Sequence, residues 1–563
     1  MFQKTTIAAA IAISTSLLLV ACGGSDGDNN GAVVSGGVST GALQGTPTTT
    51  AALTALQFHG ALQGSPDGQK LEAAAGVPKC DISVSHIEYT TKGAAGESTT
   101  ASGAVMVPSG TDPACSGKRP VVLYAHGTTT AKGFNMAALV DPTNAATGES
   151  TLVAATFAAQ GYIVIAPNYA GYDTSALTYH PYVNYKQQSQ EMIDALKAGR
   201  AALPASTDSG KLFVTGYSEG GYVAMAALKA MDAAHIPVTA GAPMSGPYSL
   251  AAYGDAIFYG NTPLGGTVFA PLLTTGYQKA YGNIYGVTSD AYTSTYAANI
   301  DTLLPTTLSF NDLFITGKLP QTALFQSAPT GSAQLDALSP KDPKFSFGFA
   351  ASNYLINTSY RAAYLADAQA HPDGAIPALT ASPLPAAAPT NTLRQAFKLN
   401  DLRGYIPSMP VLMCGGNQDP TVFFAPNAQL MAGIIGNVAA AGAPVAFALL
   451  DVDATSAGKV GFSSAGLSAA VKGTMTAAST QLMTAFGTNL QTTAATAAIG
   501  TVDGHAAYVS TLTSGGTAAE AAAAAVATPA GGAAAKTAVL TTYHGGLVPP
   551  VCTIAARTFF QQY

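Results

Sequence analysis

The chain has 563 residues, enough to bury a large core in one or more domains. Only 10% of the residues are charged and the net charge is −6, which argues against nucleic acid or another polyanion as a partner. The mean hydropathy is positive at +0.25, but it comes from Ala and Gly spread along the chain. Beyond the N-terminal segment no apolar run reaches the roughly 20 residues of a membrane span, which argues against an integral membrane protein.

The N-terminal segment has the pattern of a secretory signal. Lys4 supplies a short positive region, and an apolar stretch runs from residue 7 to residue 21. It ends in Leu19-Val20-Ala21-Cys22, which resembles a bacterial lipobox in which Cys22 is acylated. The Gly after Cys22 is what the lipobox pattern associates with the outer membrane. We therefore expect an exported protein, either lipid-anchored to the bacterial membrane or secreted, with an ordinary signal peptide and an incidental Cys as the alternative.

Residues 23–56 are Gly, Ser, Thr, Asn and Ala with little to bury, and this composition predicts a flexible tether. Of the five cysteines, four remain once Cys22 is set aside. An even number of cysteines in an oxidising compartment predicts two disulfides, for which three pairings exist. We expect Cys80–Cys115, because a hairpin brings these two together, and Cys414–Cys552. The absence of CxxC and HExxH spacings argues against a metal site.

From about residue 80 the pattern alternates between strands and helices. An antiparallel pair over 82–89 and 102–107 opens it, and the apolar runs 119–124, 162–166 and 212–215 follow, separated by helical segments. Fully apolar runs are typical of parallel strands covered on both faces. The sequence therefore predicts an α/β fold with a doubly wound, mostly parallel sheet.

Two segments interrupt this rhythm. Residues 247–400, rich in Tyr, Thr, Leu and Pro, predict a helical cap or lid between the first part of the core at 57–246 and the second part at 401–563. Within the second part, residues from about 454 to 540 are rich in Ala, Thr, Gly and Ser and predict a further insertion. Part of this insertion has helical character, for instance 467–486.

Ser218 is the predicted nucleophile. It lies in Gly216-Tyr217-Ser218-Glu219-Gly220, between an apolar strand and a helix. Glycines on both sides of the Ser permit the sharp strand-to-helix turn of the nucleophile elbow, which is typical of α/β-hydrolases. In this fold the loop after an upstream strand, here His126-Gly127-Thr128, faces the nucleophile. We expect the backbone N–H groups of Glu219 and Thr128 to bind the oxyanion, with His126 shaping the loop. His126 as the catalytic base is the alternative, which we disfavour because it precedes the Ser in the chain.

The acid and the base are predicted from position in the chain, since the order in this fold is Ser, acid, His. Asp419 follows the apolar strand 409–414 and is the candidate acid; a turn Asp before Pro is the alternative. Two histidines compete for the base. His544 precedes the last helix, and a Cys414–Cys552 bridge would hold it beside Asp419, whereas His505 lies in the Ala-rich insertion. We favour His544 and keep His505 as the alternative.

Over residues 80–450 and the C-terminus the chain resembles secretory lipases and related bacterial lipoprotein esterases of the α/β-hydrolase family. The residues that carry the resemblance are Tyr124–Thr128, Ala166–Tyr172, His180–Tyr182, Gly216–Gly221, Leu399–Leu402 and Pro410-Val411 leading to Asp419. Asn168 stands where the family usually has Asp, and the late insertion delays the His. The resemblance implies hydrolysis of acyl esters, with a lid over a hydrophobic acyl pocket.

The expected function is therefore cleavage of carboxylic esters through a Ser-His-Asp triad and an acyl-enzyme, without cofactor or metal. A serine peptidase on the same fold and a non-catalytic surface-binding homologue remain as alternatives. We expect a monomer whose partners are a small-molecule or lipid ester and, through the lipid anchor, a membrane.

Overall fold

The computed structural model describes residues 40–338, 340 and 342–563. The strands are β1 Leu43–Leu53, β2 Asp81–Lys92, β3 Ser98–Ser109, β4 Arg119–Ala125, β5 Ile163–Pro167, β6 Asp208–Tyr217, β7 Ala240–Met244, β8 Phe325–Gln326, β9 Phe349–Ala350, β10 Val411–Gly415, β11 Phe447–Asp451 and β12 Phe462–Ala465. The helices are α1 Ala55–Gln63, α2 Pro66–Ala75, α3 Thr147–Thr156, α4 Tyr185–Ala201, α5 Glu219–Ala233, α6 Leu250–Phe258, α7 Gly266–Tyr281, α8 Thr288–Ala291, α9 Ser294–Ala297, α10 Phe310–Ile315, α11 Ala333–Ala337, α12 Thr358–Ala370, α13 Thr392–Asn400, α14 Leu430–Ala440, α15 Ala469–Ile499, α16 Val502–Thr513, α17 Ala518–Ala527, α18 Pro529–Thr542 and α19 Val548–Phe560.

A 10-stranded sheet with the order β1-β2-β3-β5-β4-β6-β7-β10-β11-β12 forms the centre of the fold. The strands from β5 to β11 in this order pair in parallel, while β1–β3 at one edge and β12 at the other pair antiparallel. The predicted α/β class with a mostly parallel, doubly wound sheet is therefore confirmed.

Helices on both faces explain why the central strands are apolar along their whole length. On one face, α4 and α5 contact the sheet; Gly199 of α4 lies against Ile165 of β5, with no room for a side chain. On the other face, Phe560 of α19 stacks on Phe213 of β6, with ring centroids 4.5 Å apart. Every residue of β5, β10 and β11 is buried, as expected for strands that are covered twice.

The strand order creates a crevice beside the centre of the sheet. After β4 the chain moves to one side to form β5 and then returns to form β6 on the other side, so that β4 lies between them. The ends of β4 and β6 are neighbours, with Ala125 paired to Gly216. Loops that leave such a switch point diverge, and ligands bind between them in open α/β sheets.

Residues 247–400 connect β7 to β10 and contain the helices α6–α13 and the short parallel pair β8–β9. These helices lie over the carboxyl edge of the sheet, since side chains of α6, α7 and α13 share a cavity with Ser218 at the end of β6. The segment has the composition and position of the predicted cap.

The second insertion is a helical bundle of α15–α18, in contact with α19 at the end of the chain. Its helices pack through small side chains, with Ala498, Ala525 and Ala535 forming a separate small core. The helix predicted over 467–486 begins at Ala469 and continues to Ile499, because α17 and α18 pack against α15.

The prediction of a tether over 23–56 is wrong from residue 43 onward. Residues 43–53 form β1, an edge strand paired with β2 from Leu43–Tyr89 to Leu53–Ile82. Most of its side chains are exposed, so the strand has no apolar face that a composition argument could detect. Backbone hydrogen bonds to β2 hold it, together with a bond from Thr50 Oγ1 to the carbonyl of Ala137 (2.7 Å). The predicted signal peptide, Cys22 and the tether up to residue 39 lie outside the described residues.

Two disulfides join the cysteines in the pairs that were expected, Cys80 with Cys115 and Cys414 with Cys552. The first links the start of the β2–β3 hairpin to the segment after it. The second joins the end of β10 to α19, across 138 residues of sequence. Among the helices of the described residues, none combines the length and the apolar character needed to cross a membrane.

Candidate active site

Ser218 lies at the turn between β6 and α5 in a strained backbone conformation. Its φ of 61° and ψ of −122° fall in a region that residues with a side chain rarely adopt. Gly216 and Gly220 permit the turn: a Cβ on Gly216 would lie 2.3 Å from the Gly220 carbonyl oxygen, and one on Gly220 would lie 2.0 Å from that of Ala125. The strain lifts the Ser side chain above the sheet, as in a nucleophile elbow.

The structure brings His544 and Asp419 together with Ser218. His544 Nε2 is 2.7 Å from Ser218 Oγ, and His544 Nδ1 is 2.6 Å from Asp419 Oδ2. The other carboxylate oxygen of Asp419 accepts the backbone N–H groups of Thr421 and Val422 at 2.8 and 2.9 Å. The carboxylate is therefore fixed in place with one oxygen aimed at the imidazole, an arrangement that can withdraw the Ser proton and stabilise the resulting imidazolium.

The two other histidines considered in the sequence lie elsewhere. His505 is exposed on α16 in the second insertion, and the hydrogen bonds of Ser218 and Asp419 go to His544 instead. His126 is fully buried and stacks on Tyr169, with ring centroids 4.0 Å apart. Burial lowers the pKa of His126 to about 4, so the ring is neutral and shapes the loop after β4.

The loop after β4 faces the nucleophile, as predicted from the fold. A Cβ built on Gly127 would lie 3.8 Å from the Cβ of Ser218. The backbone N–H groups of Glu219 and Thr128 donate to no acceptor within the described part of the chain. Unpaired N–H groups next to the nucleophile are the elements from which an oxyanion hole is built.

A buried carboxylate that the sequence did not single out supports the loop after β4. Glu149 of α3 accepts the Gly127 N–H at 3.0 Å and the Tyr124 hydroxyl at 2.8 Å. Burial raises the pKa of Glu149 to about 7, although both hydrogen bonds act in the opposite direction. No motif marks Glu149, because its partners come from a strand and a loop that are distant in sequence.

The Glu219 side chain points away from Ser218 into the core. Its carboxylate accepts from His180 Nε2 at 2.6 Å and from Gln188 Nε2 at 2.7 Å. The side chains of His180 and Glu219 are both completely buried. Burial alone would lower the pKa of His180, but the charge and hydrogen bond of Glu219 reverse this and raise it. His180 and Gln188 thereby fix the start of α5, whose first N–H is the candidate oxyanion donor.

An apolar cavity of about 100 Å³ opens beside Ser218 under the cap. Its walls come from α6, α7, α12 and α13 and from the segments around residues 182, 324 and 422. Residues that line it include Leu250, Ile257, Phe269, Leu273, Tyr360 and Phe397. Within the described ranges, no group of three or more His, Cys, Asp or Glu side chains is arranged to hold a metal ion.

With this geometry, the chain is a hydrolase of the α/β-hydrolase fold. A family model described as the prolyl oligopeptidase family matches residues 149–256, which include the turn at Ser218. No curated protein matches the chain in sequence.

Solved structures of the same fold include the rice cell wall degrading esterase LipA from Xanthomonas oryzae, with 25% identity and a TM-score of 0.56; the match covers 75% of this chain and 92% of LipA. A hydrolase candidate from Legionella pneumophila is 18% identical with a TM-score of 0.52, covering 70% of this chain and 88% of the other. Candida antarctica lipase A is 14% identical with a TM-score of 0.42, covering 73% and 76%.

Proposed function

We propose that the chain hydrolyses carboxylic (acyl) esters through a Ser-His-Asp triad and an acyl-enzyme intermediate. The observation that carries the proposal is the hydrogen-bonded series from Ser218 Oγ through His544 to Asp419. It lies at the carboxyl edge of the sheet, next to an apolar cavity. The resemblance to lipases and esterases supports the same conclusion.

The mechanism follows from the roles of the residues. His544 Nε2 takes the proton of Ser218 as its Oγ attacks the ester carbonyl, and Asp419 orients the imidazole and stabilises its protonated form. The N–H groups of Glu219 and Thr128 bind the tetrahedral oxyanion. His544 then protonates the leaving alcohol, and a water molecule activated by the same residue releases the acid from Ser218.

The cavity supports an acyl group as the part of the substrate that enters the cap. Its walls are almost entirely apolar, so a hydrocarbon chain gains free energy by leaving water there. Tyr182 and Thr274 contribute to the lining, but each of their hydroxyls already has a partner, Thr128 for the first and Tyr292 for the second. A polar group of a substrate would find few unpaired partners in this cavity.

A serine peptidase is the second candidate, favoured by the match to the prolyl oligopeptidase family. Peptidases and esterases of this fold use the same three side chains, so the site alone does not separate them. The apolar lining favours the ester, because a peptide brings amide groups that lose hydrogen bonds to water in such a cavity.

One assay separates these functions. The protein is incubated with p-nitrophenyl acyl esters and with aminoacyl p-nitroanilides, and wild type is compared with Ser218→Ala. We expect ester hydrolysis that Ser218→Ala abolishes, with no release of nitroaniline. Cleavage of anilides in preference to esters would establish the peptidase. A folded protein that neither hydrolyses esters nor reacts with a fluorophosphonate would establish the non-catalytic homologue.

The disulfides fit export to an oxidising compartment. We propose further that the exported chain is anchored through a lipid on Cys22, from the lipobox pattern in the sequence. A single acyl chain binds a membrane weakly and reversibly, and stable anchoring requires more than one.

A further inference from the structure

We propose that Tyr543 positions His544 relative to Asp419, and that the insertion between Asp453 and Tyr543 supports this position through Phe486. The proposal rests on the proposed triad. It assigns a role in the active site to a segment of Ala-rich sequence that has no motif of its own.

The Tyr543 hydroxyl connects two loops. It donates to Asp453 Oδ2 at 2.6 Å and accepts the Gln418 N–H at 3.2 Å. The side chain is 2% exposed, so neither bond competes with water. Gly416 permits this approach, because a Cβ there would lie 2.5 Å from the Tyr543 hydroxyl oxygen.

The hydrogen bond between Gln418 and Tyr543 joins two residues that are each next to a member of the triad. Tyr543 immediately precedes His544, and Gln418 immediately precedes Asp419. A shift of the hydroxyl therefore moves the base and the acid relative to each other. The backbone carbonyl of His544 also accepts the hydroxyl of Tyr217, the last residue of β6, at 2.6 Å. His544 is therefore held both by the loop that carries Asp419 and by the strand that precedes Ser218.

The hydrogen bond between Tyr543 and Asp453 joins the two ends of the insertion. Asp453 follows β11 and Tyr543 follows α18, and the bundle α15–α18 lies between them in the chain. The hydroxyl of Tyr543 therefore ties the helical turn Tyr543–Leu547, which carries His544, to the start of the insertion. The Tyr543–Asp453 bond closes the root of the bundle.

Phe486 of α15 connects the bundle to Tyr543. Its ring packs edge-to-face on Tyr543, with centroids 5.5 Å apart and planes at 71°. Phe486 is completely buried, and α15 also packs on α19. The bundle thus contacts the tyrosine ring through Phe486, separately from the hydrogen bonds of the hydroxyl.

The test is a kinetic comparison of Tyr543→Phe with wild type on a p-nitrophenyl ester. This variant keeps the ring and removes both hydrogen bonds of the hydroxyl. We expect kcat to fall by about tenfold or more while KM stays within about twofold, since a misplacement below 1 Å in a triad acts on the chemical step. Tyr508→Phe, a change of the same type at the distal end of the bundle, is the control and leaves kcat within about twofold.

The contribution of the insertion is measured with Phe486→Leu. We expect a loss of kcat of about threefold or more at unchanged KM, and a smaller additional loss when the change is combined with Tyr543→Phe, because the two residues act on one position.

An unchanged kcat in Tyr543→Phe overturns the proposal, and an unchanged kcat in Phe486→Leu overturns the role of the bundle. If KM and the melting temperature change and kcat does not, the residues are merely structural. Failure of the proposed function is distinct, because wild type then neither hydrolyses the ester nor reacts with a fluorophosphonate.

Discussion

At the scale of single residues, several polar side chains buried around the site have partners on more than one loop. Asn168 is an example. Its Oδ1 accepts the Met136 N–H at 2.8 Å, and its Nδ2 donates to Ser102 Oγ at 2.9 Å and to Asn135 Oδ1 at 3.2 Å. An ionised aspartate at this position could not make the two donations. The amide of Asn168 therefore matches the local hydrogen bonding.

The choice of base is testable with two alanine variants. We expect His544→Ala to lower kcat by about four orders of magnitude, because it removes the group that accepts the Ser218 proton. His505→Ala, at an exposed position on α16, is the matched control and should change kcat by less than about twofold. Ester hydrolysis is the measurement. Loss of activity in the His505 variant with an active His544 variant would reverse the assignment.

Glu149→Gln tests the buried carboxyl under the oxyanion loop. Burial raises the pKa of Glu149 from 4.5 to about 7, so the folded state binds a proton more tightly than the unfolded state does. Wild type therefore loses stability relative to the variant as the pH rises from about 4.5 to about 7, by up to about 3 kcal/mol. Below this range the carboxyl is protonated in both states, and the difference in stability no longer depends on pH.

Urea unfolding of wild type and Glu149→Gln at pH 5 and pH 8 measures this difference. We expect the free energy of unfolding of Glu149→Gln to rise relative to that of wild type from pH 5 to pH 8. Glu88→Gln on β2, where the side chain is partly exposed, provides the control. A difference between Glu149→Gln and wild type that is the same at both pH values would contradict the interpretation.

At the scale of elements, the cap and the core meet around Ser218. Helices α6, α7 and α13 supply most of the apolar wall, while β6, α5 and the loops after β4 and β10 supply the polar groups. In the proposed mechanism, the chemistry therefore lies on the sheet and its loops, and the inserted helices select the substrate. This separation predicts that changes in the cap alter acyl preference without altering the chemical step.

Ala270→Phe tests this separation, because Ala270 of α7 lines the cavity and is half-buried. A benzyl group fills much of a cavity of about 100 Å³. We expect kcat/KM for p-nitrophenyl octanoate to fall by about tenfold or more, while that for the acetate stays within about threefold. Ala298→Phe, at an exposed position in the cap, is the control. Equal losses on both esters would show that the cavity does not receive the acyl chain.

At the scale of the whole molecule, the two disulfides fit an exported protein, as the N-terminal signal pattern predicts. The bridge Cys414–Cys552 connects β10, which precedes the acid, to α19, which follows the base, so it closes a long loop around both. Closing a loop of this length removes conformational entropy from the unfolded chain. Such a bridge forms and persists outside the reducing cytoplasm.

The proposed anchor is tested by expressing the full chain with Cys22→Ser in a bacterium. We expect wild type in the membrane fraction and labelled by a radioactive fatty acid. The variant should remain an uncut and unlabelled precursor, because the lipobox needs the thiol. Ser25→Ala is the control and should behave as wild type. A Cys22→Ser protein that is cut normally and released would support an ordinary signal peptide.

The sequence alone was enough to predict the α/β class, the turn at Ser218 and the candidates Asp419 and His544. These depend on local patterns: apolar runs for strands covered twice, glycines that only a sharp turn requires, and the order of motifs along the chain. The same reasoning missed β1, because an edge strand with exposed side chains is held by backbone hydrogen bonds and has no apolar pattern.

Only the tertiary structure decided between His544 and His505 as the partner of Ser218, because both follow the acid in the chain and the choice depends on distance in space. The same holds for Glu149, Tyr543 and Phe486. Their partners lie on loops that are distant in sequence and meet only when the sheet, the cap and the insertion pack together. Buried hydrogen bonds and ring contacts of this kind leave no local signal, because the constraint falls on the folded position of each side chain and not on its neighbours in the chain.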